Sequence, residues 1–256
     1  MSQAFREQKL TFIYLASTLL FILLATQLGS RLNLIPIVLL GVVSPLLLAT
    51  AFSFFEGGWR GVKDLFGQPQ GYHFSVLAFC AALFLPFLLM MLSIAIDTGQ
   101  WKLPNFSIML GKLPILLILM TGEEFGWRRY AFARLSNSYS FILAAFLVSL
   151  VWLFWHYPGY LIGMGTPEAM SFWLFGLMLI PASILMAYLY MWTKNVYLVI
   201  LAHVSSNMAF NTLSFLPEVT GDSSAFIIYT SSLWLLALPL ILNKQHWSNT
   251  NDKPAV

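Results

Sequence analysis

The sequence is poor in charge. Asp, Glu, Lys and Arg together make up 9% of its 256 residues, where a soluble domain carries about a quarter. A chain so poor in solvated side chains cannot cover a globular surface, which excludes a soluble domain. Cysteine is nearly absent. The single one, Cys80 in VLAFCAALF, can form no internal disulfide and reads as a small apolar packing residue. The net charge of +3 comes with no basic stripe and no recognition motif, which excludes nucleic-acid binding. Two catalytic signatures are also missing: there is no G-x-S-x-G nucleophile elbow and no H-E-x-x-H zinc helix. Internal repeats and low-complexity tracts are lacking as well.

What the chain has is apolar sequence: 59% hydrophobic residues and a mean hydropathy of +0.79. Apolar runs cover residues 10–28, 34–55, 72–97, 106–134, 141–157, 169–192, 196–215 and 225–242. Each has about 17 residues or more, enough to cross about 30 Å of hydrocarbon as a helix. The expected fold is all-α: a polytopic membrane bundle of about eight transmembrane helices around a polar intramembrane cavity, in a single domain over 1–256. The first run is too long for a signal-peptide core and reads as a retained anchor. Residues 57–66, GGWRGVKDLF, put Trp59, Val62 and Phe66 on one helical face, as an interfacial helix would; a polar loop is the alternative. Pro158-Gly159 is expected to end the fifth run, and 243–256 to form a polar, disordered tail.

Eight spans put both termini on one side. Arg6, Lys9, Arg60, Lys63, Arg134, Lys194, Lys244 and Lys253 then share that side, and Arg31, Lys102 and Lys112 fall on the other. The bias predicts cytoplasmic termini.

Against this background residues 120–130, MTGEEFGWRRY, stand out. Ionisable residues at membrane depth are costly and mark functional sites facing the protein interior. Glu124 and Arg128 are spaced i,i+4 and stack on one helix face in the favourable acid-first order. Glu123 is rotated about 100° away and lacks that partner. A purely structural alternative pairs Glu124 with Arg128 and Glu123 with Arg129. Gly122 and Gly126 form a G-x-x-x-G that lets a neighbouring helix approach closely. Two histidines lie inside apolar runs. His156 follows Trp152 by one turn, and His203, Asn207 and Asn211 form one stripe. A polar stripe on a membrane helix must face polar groups or water.

Two acids, an arginine, two histidines and asparagines suit hydrolysis. A carboxylate shielded from bulk water can act as base on a water molecule. A histidine can orient that water, and a second histidine with an amide can donate to a developing oxyanion. One helical mismatch stands against this grouping. At 1.5 Å per residue His156 lies about 25 Å from residue 141, and Glu123 about 16 Å from Arg134.

EEFGWR reads as E-E-x-x-x-R, Trp152 to His156 as (F/W)-x-x-x-H, and His203 to Asn207 as H-x-x-x-N. In this order the three motifs resemble those of the CPBP intramembrane proteases, the CAAX prenyl endopeptidase and bacteriocin-processing or immunity group. The resemblance covers roughly residues 105–215, the expected catalytic core; its short loops are similar to those of a bacterial member in the inner membrane. It implies a glutamate-dependent endopeptidase with a cavity opening to the cytosol. Glu123 would be the general base, His156 its partner on the water, His203 and Asn207 the oxyanion site, and Glu124 and Arg128 supporting residues. No cofactor or metal is expected. The expected partners are a peptide or protein substrate, including membrane-associated or lipidated ones, and the bilayer. The alternatives are a zinc peptidase using Glu123, His156 and His203, and a non-catalytic membrane immunity or partner protein of the same fold.

Overall fold

The computed structural model describes residues 3–167 and 169–248; Glu168, Lys253 and most of the expected tail lie outside them. The described residues form helices and connections, with no strand. The order is α1 (Gln3–Leu32), α2 (Ile35–Val42), α3 (Ser44–Phe66), α4 (Val76–Thr98) and α5 (Phe106–Glu124). A π-helical segment (Phe125–Phe132) and the short α6 (Ala133–Leu135) continue α5. Then come α7 (Phe141–Leu161), α8 (Phe172–Thr193), α9 (Val196–Thr212), α10 (Pro217–Thr220) and α11 (Ser224–Leu242). Among the described residues seven helices are long and apolar enough to cross a membrane, or eight when the bent pair α2–α3 counts as one span. The protein is a multi-pass membrane protein.

The polar connections seen in the sequence supply helix caps. Asn105 Oδ1 accepts from the Ser107 and Ile108 amides, and Asn195 Oδ1 from those of Tyr197 and Leu198. Ser75, Ser140 and Ser171 cap α4, α7 and α8 in the same way. Each cap satisfies amides that a helix start leaves without partners. Hydroxyls within the spans, such as Thr18, Ser93 and Ser149, donate back to the carbonyl four residues earlier.

Three boundaries differ from the sequence expectation, whereas the helix expected at 57–66 is present as the end of α3. The run 34–55 is a broken span, bent by 56° between α2 and α3. Pro45 lies in the first turn of α3, where its missing N–H and its ring stop α2 from continuing. Residues 57–66 are helical beyond a break at Gly58, whose φ of 59° is left-handed. Helix α7 passes through Pro158 and ends at Leu161, four residues later than expected. The chain also folds back after α11 instead of starting a disordered tail at 243. Residues Lys244–His246 form a 3-10 turn, and the His246 ring packs on Phe141 at 5.1 Å.

Both described ends of the chain lie at one end of the bundle. The Gln8 amide donates to the Tyr139 hydroxyl, and His246 sits beside Phe141 and Tyr188. The connection from α3 to α4 is there too, through the His73 amide on the Thr193 carbonyl (3.0 Å). At the opposite end the start of α5 meets the end of α9, where the Asn105 amide donates to the Thr212 carbonyl (3.2 Å).

The G-x-x-x-G pair is unequal. A Cβ on Gly126 would lie 2.4 Å from Pro45 Cβ and 2.5 Å from the Tyr14 hydroxyl. On Gly122 it would meet Val43 at 3.5 Å, an ordinary contact. The α2–α3 junction therefore presses onto Gly126, where the Tyr14 hydroxyl donates to the Pro45 carbonyl (3.0 Å). Gly126→Ala is expected to destabilise by about 1–3 kcal/mol through overpacking, with Gly122→Ala near neutral. Thermal unfolding of both variants in one detergent checks this; equal melting temperatures would mean that the junction yields freely.

Candidate active site

The two acids end α5, and the helix changes its hydrogen-bond period directly after them. From Phe125 to Phe132 it is π-helical, so the Ala133 amide donates to the Arg128 carbonyl five residues back. Such wide turns are rare and occur often at functional sites. The side chains Glu123, Glu124 and Arg128 are all buried.

Glu124 faces away from the cavity into a closed network. Arg128 Nη1 lies 3.1 Å from each of its carboxylate oxygens, and the pair is 0% exposed on both sides. His203 Nδ1 stands 2.7 Å from Glu124 Oε1. Arg128 Nη2 donates to Ser183 Oγ of α8 at 3.2 Å, and its guanidinium lies 4.7 Å over the Trp152 ring. One carboxylate thus faces a guanidinium and an imidazole, and an aromatic face shares the remaining positive charge.

Glu123 has a different environment. Its Oε2 accepts from the Trp152 indole N–H at 2.7 Å, and its carboxyl borders a cavity of about 490 Å³. Arg129, the alternative partner for Glu123, instead donates to the Asp64 carbonyl (2.5 Å). His156 Nδ1 stands 2.8 Å from the Trp152 carbonyl. That leaves Nε2 as the ring nitrogen without this contact, and the ring sits edge-on among Trp152, Trp155 and Phe175. Trp152 also meets the His203 ring at 5.3 Å. Asn207 Nδ2 donates to the His203 carbonyl at 3.2 Å and to Met120 Sδ at 3.3 Å. Asn211 is tied to Lys112, whose ammonium donates to Oδ1 at 2.8 Å.

Glu123, His156, His203 and Asn207 all line the one cavity, and Glu124 and Arg128 stand behind its wall. The helical mismatch disappears because the residue level with Glu123 is Trp152, four positions before His156. The indole spans from α7 to α5, and His156 lies one turn further along the cavity. Sequence reasoning named Trp152 as a motif position without foreseeing its bond to Glu123. Ser183 was missed altogether; a lone small hydroxyl in PASILM carries no motif.

The cavity has a direction. Beyond the acids it is lined by Gly159, Met164 to Pro167, Asn211 and Glu218, from the ends of α7 and α9 and the connections after them. None of its lining comes from the connections 67–75 or 136–140 beside the chain ends. Cytoplasmic termini and a cavity opening to the cytosol, both expected from the sequence, therefore cannot hold together. Among the described residues, no three His, Cys, Asp or Glu side chains converge as a metal-ligand group.

Residues 105–209 match the family described as type II CAAX prenyl endopeptidase Rce1-like. Among characterised proteins, CAAX prenyl protease 2 of Methanococcus maripaludis is 30% identical over 148 residues, which are 54% of this chain and 52% of that protein. The chain spans about half the length of this curated relative. The matched region begins at the cap of α5 and ends two residues past Asn207, so it contains all three motifs and every side chain of the network of Glu124, Arg128, His203 and Ser183. Over residues 105–209 the chain is thus similar to the type II CAAX prenyl endopeptidase Rce1-like family.

Proposed function

We propose that the protein is an intramembrane endopeptidase that hydrolyses peptide bonds with water activated at Glu123. The observation that supports this most is the shared cavity: four polar side chains from α5, α7 and α9 border it while the charge-balancing pair stays behind. Glu123 takes one proton from water as the oxygen attacks the peptide carbonyl, and His156 Nε2 accepts a hydrogen bond from the remaining O–H, which fixes its orientation. The carbonyl oxygen becomes an oxyanion. His203, held through Nδ1 by Glu124, donates to it from Nε2–H, and Asn207 exchanges its weak Met120 contact for the same oxygen. The C–N bond then breaks, and Glu123 returns its proton to the leaving amine. No step requires a metal.

The substrate is a peptide or protein segment that reaches membrane depth, lipidated or not. The core of the activity is placed in 105–215, with the remaining helices as its frame in one domain, and the chain ends are placed in the cytoplasm of a bacterial cell. The test is incubation of the purified protein in detergent with a peptide library. Cleavage is expected, with products whose new termini lie inside the peptides. A protein that folds and cleaves nothing would favour the non-catalytic partner reading.

Trp152→Phe separates the indole N–H from the ring. The variant keeps the aromatic face over Arg128 and loses the bond to Glu123. A hydrogen bond to a charged group is worth about 1.5–3 kcal/mol, so kcat is expected to fall about tenfold to a hundredfold with little change in melting temperature. An unchanged kcat would show that the indole does not position the base.

A further inference from the structure

We infer that Glu56 of α3 is a positioning residue for the active site: it holds the far end of the π-helical segment and so fixes how Glu123, Glu124 and Arg128 are presented. Its consequence for turnover rests on the peptidase reading above. Glu56 lies outside residues 105–209, in a part of the chain that carries none of the three motifs. Its carboxylate gathers two side chains from the end of the segment. The Tyr130 hydroxyl donates to Oε1 at 2.6 Å, and Arg134 Nη1 donates to both oxygens, at 2.7 and 2.8 Å. The Arg134 guanidinium lies 3.9 Å over the ring of Tyr130, itself buried.

A π-helical segment needs such a hold, because its wide turns are a rare departure from the α-helical period. Relaxing one of them to the ordinary i→i+4 pattern would move one side of the segment by a residue, a rotation of about 100° on the α-helical wheel. Arg128 would then leave Glu124, and His203 would lose the ordered carboxylate that holds its Nδ1. Helix α3 opposes this slip at both ends. Pro45 presses on Gly126 near the start, and Glu56 takes Tyr130 and Arg134 together at the finish. A slip of one residue there would turn both off the carboxylate. Beyond Gly58 the chain folds back along the same segment: the Asp64 carbonyl accepts from Arg129, and the Phe66 ring lies 5.1 Å from that of Phe125. The Glu56 and Arg134 side chains are 19% and 23% exposed, so the pair adds little to global stability and acts locally.

Glu56→Gln keeps an acceptor for Tyr130 and removes the charge that Arg134 faces. Hydrogen exchange of residues 125–135, read by mass spectrometry in detergent, is expected to quicken in this variant, while exchange of α8 and the melting temperature stay close to those of the unaltered protein. Its kcat is expected to fall about tenfold to a hundredfold, the cost of a misplacement of about 1 Å, with KM nearly unchanged. Glu56→Arg should do the same, and adding Arg134→Glu should recover much of the loss, because the pair is restored with its charges exchanged. Unchanged exchange at 125–135 would overturn the inference, and so would faster exchange there with an unaltered kcat. Faster exchange throughout α7, α8 and α9 with a lower melting temperature would also overturn it, by showing a structural role only. If the unaltered protein cleaves nothing, the peptidase reading falls, and the exchange comparison still decides whether Glu56 holds the segment.

Discussion

Glu123→Gln is expected to end peptide cleavage while leaving the melting temperature close to that of the unaltered protein. The carboxamide has the shape of the acid, and its carbonyl oxygen can still accept the Trp152 indole N–H that Oε2 accepts at 2.7 Å. It cannot take a proton from water. A positioned general base contributes about 10²–10⁴-fold, and the loss should be at least that large here because the other carboxylate that lines the cavity, Glu218, stands at its far end, and Glu124 is committed to Arg128 and His203. Single-turnover cleavage with excess enzyme measures the effect free of product release. Turnover within about tenfold of normal would exclude Glu123 as the base.

Glu124→Gln is expected to fail differently. Arg128 and Glu124 are fully buried, and the carboxylate is the guanidinium's only anionic partner among the described residues. Neutralising it leaves a buried cation without its ion-pair partner, a loss of about 3–5 kcal/mol. The variant should unfold at markedly lower temperature or denaturant in detergent. It should also lose activity, because His203 Nδ1 loses its anionic anchor. Comparing unfolding of the two variants separates the acids. Equal destabilisation of Glu123→Gln and Glu124→Gln would mean that they form one structural network and that the division of labour is wrong.

Much of this division was legible in the sequence. The i,i+4 spacing of Glu124 and Arg128 identifies the pair because a helix of either period keeps those positions neighbours. The cavity set follows from polar residues that a lipid-facing helix cannot tolerate. The features that stayed hidden have physical reasons. Hydropathy reads 34–55 as one run, because a proline costs little hydropathy yet bends the span by 56°. Within a membrane helix Pro158 need not end the helix, since packing against neighbours offsets the lost hydrogen bond. The π-helical segment after Glu124 depends on how α3, α8 and α9 pack around it, and no local residue pattern encodes that. The Trp152 bond to Glu123 is a contact between helices, which spacing within a single helix cannot reveal. Cavity direction likewise needed the packing of all the spans, since each motif only locates its residue along one helix.

The most direct measurement is cleavage by protein stripped of metal. The zinc alternative uses Glu123, His156 and His203, and in the structure each has a contact that a zinc ligand set would have to rearrange around: Trp152 N–H, the Trp152 carbonyl and Glu124. The cationic Arg128 behind Glu124 also disfavours a dication at this place. The purified protein is dialysed exhaustively against a strong chelator, its metal content is measured by elemental analysis, and its peptide cleavage is compared with that of Glu123→Gln treated in the same way. Glutamate-activated water predicts cleavage that survives chelation at unchanged rate in metal-free protein and is absent from Glu123→Gln. Stoichiometric zinc in the active protein, with activity lost on its removal and restored by its return, would contradict it.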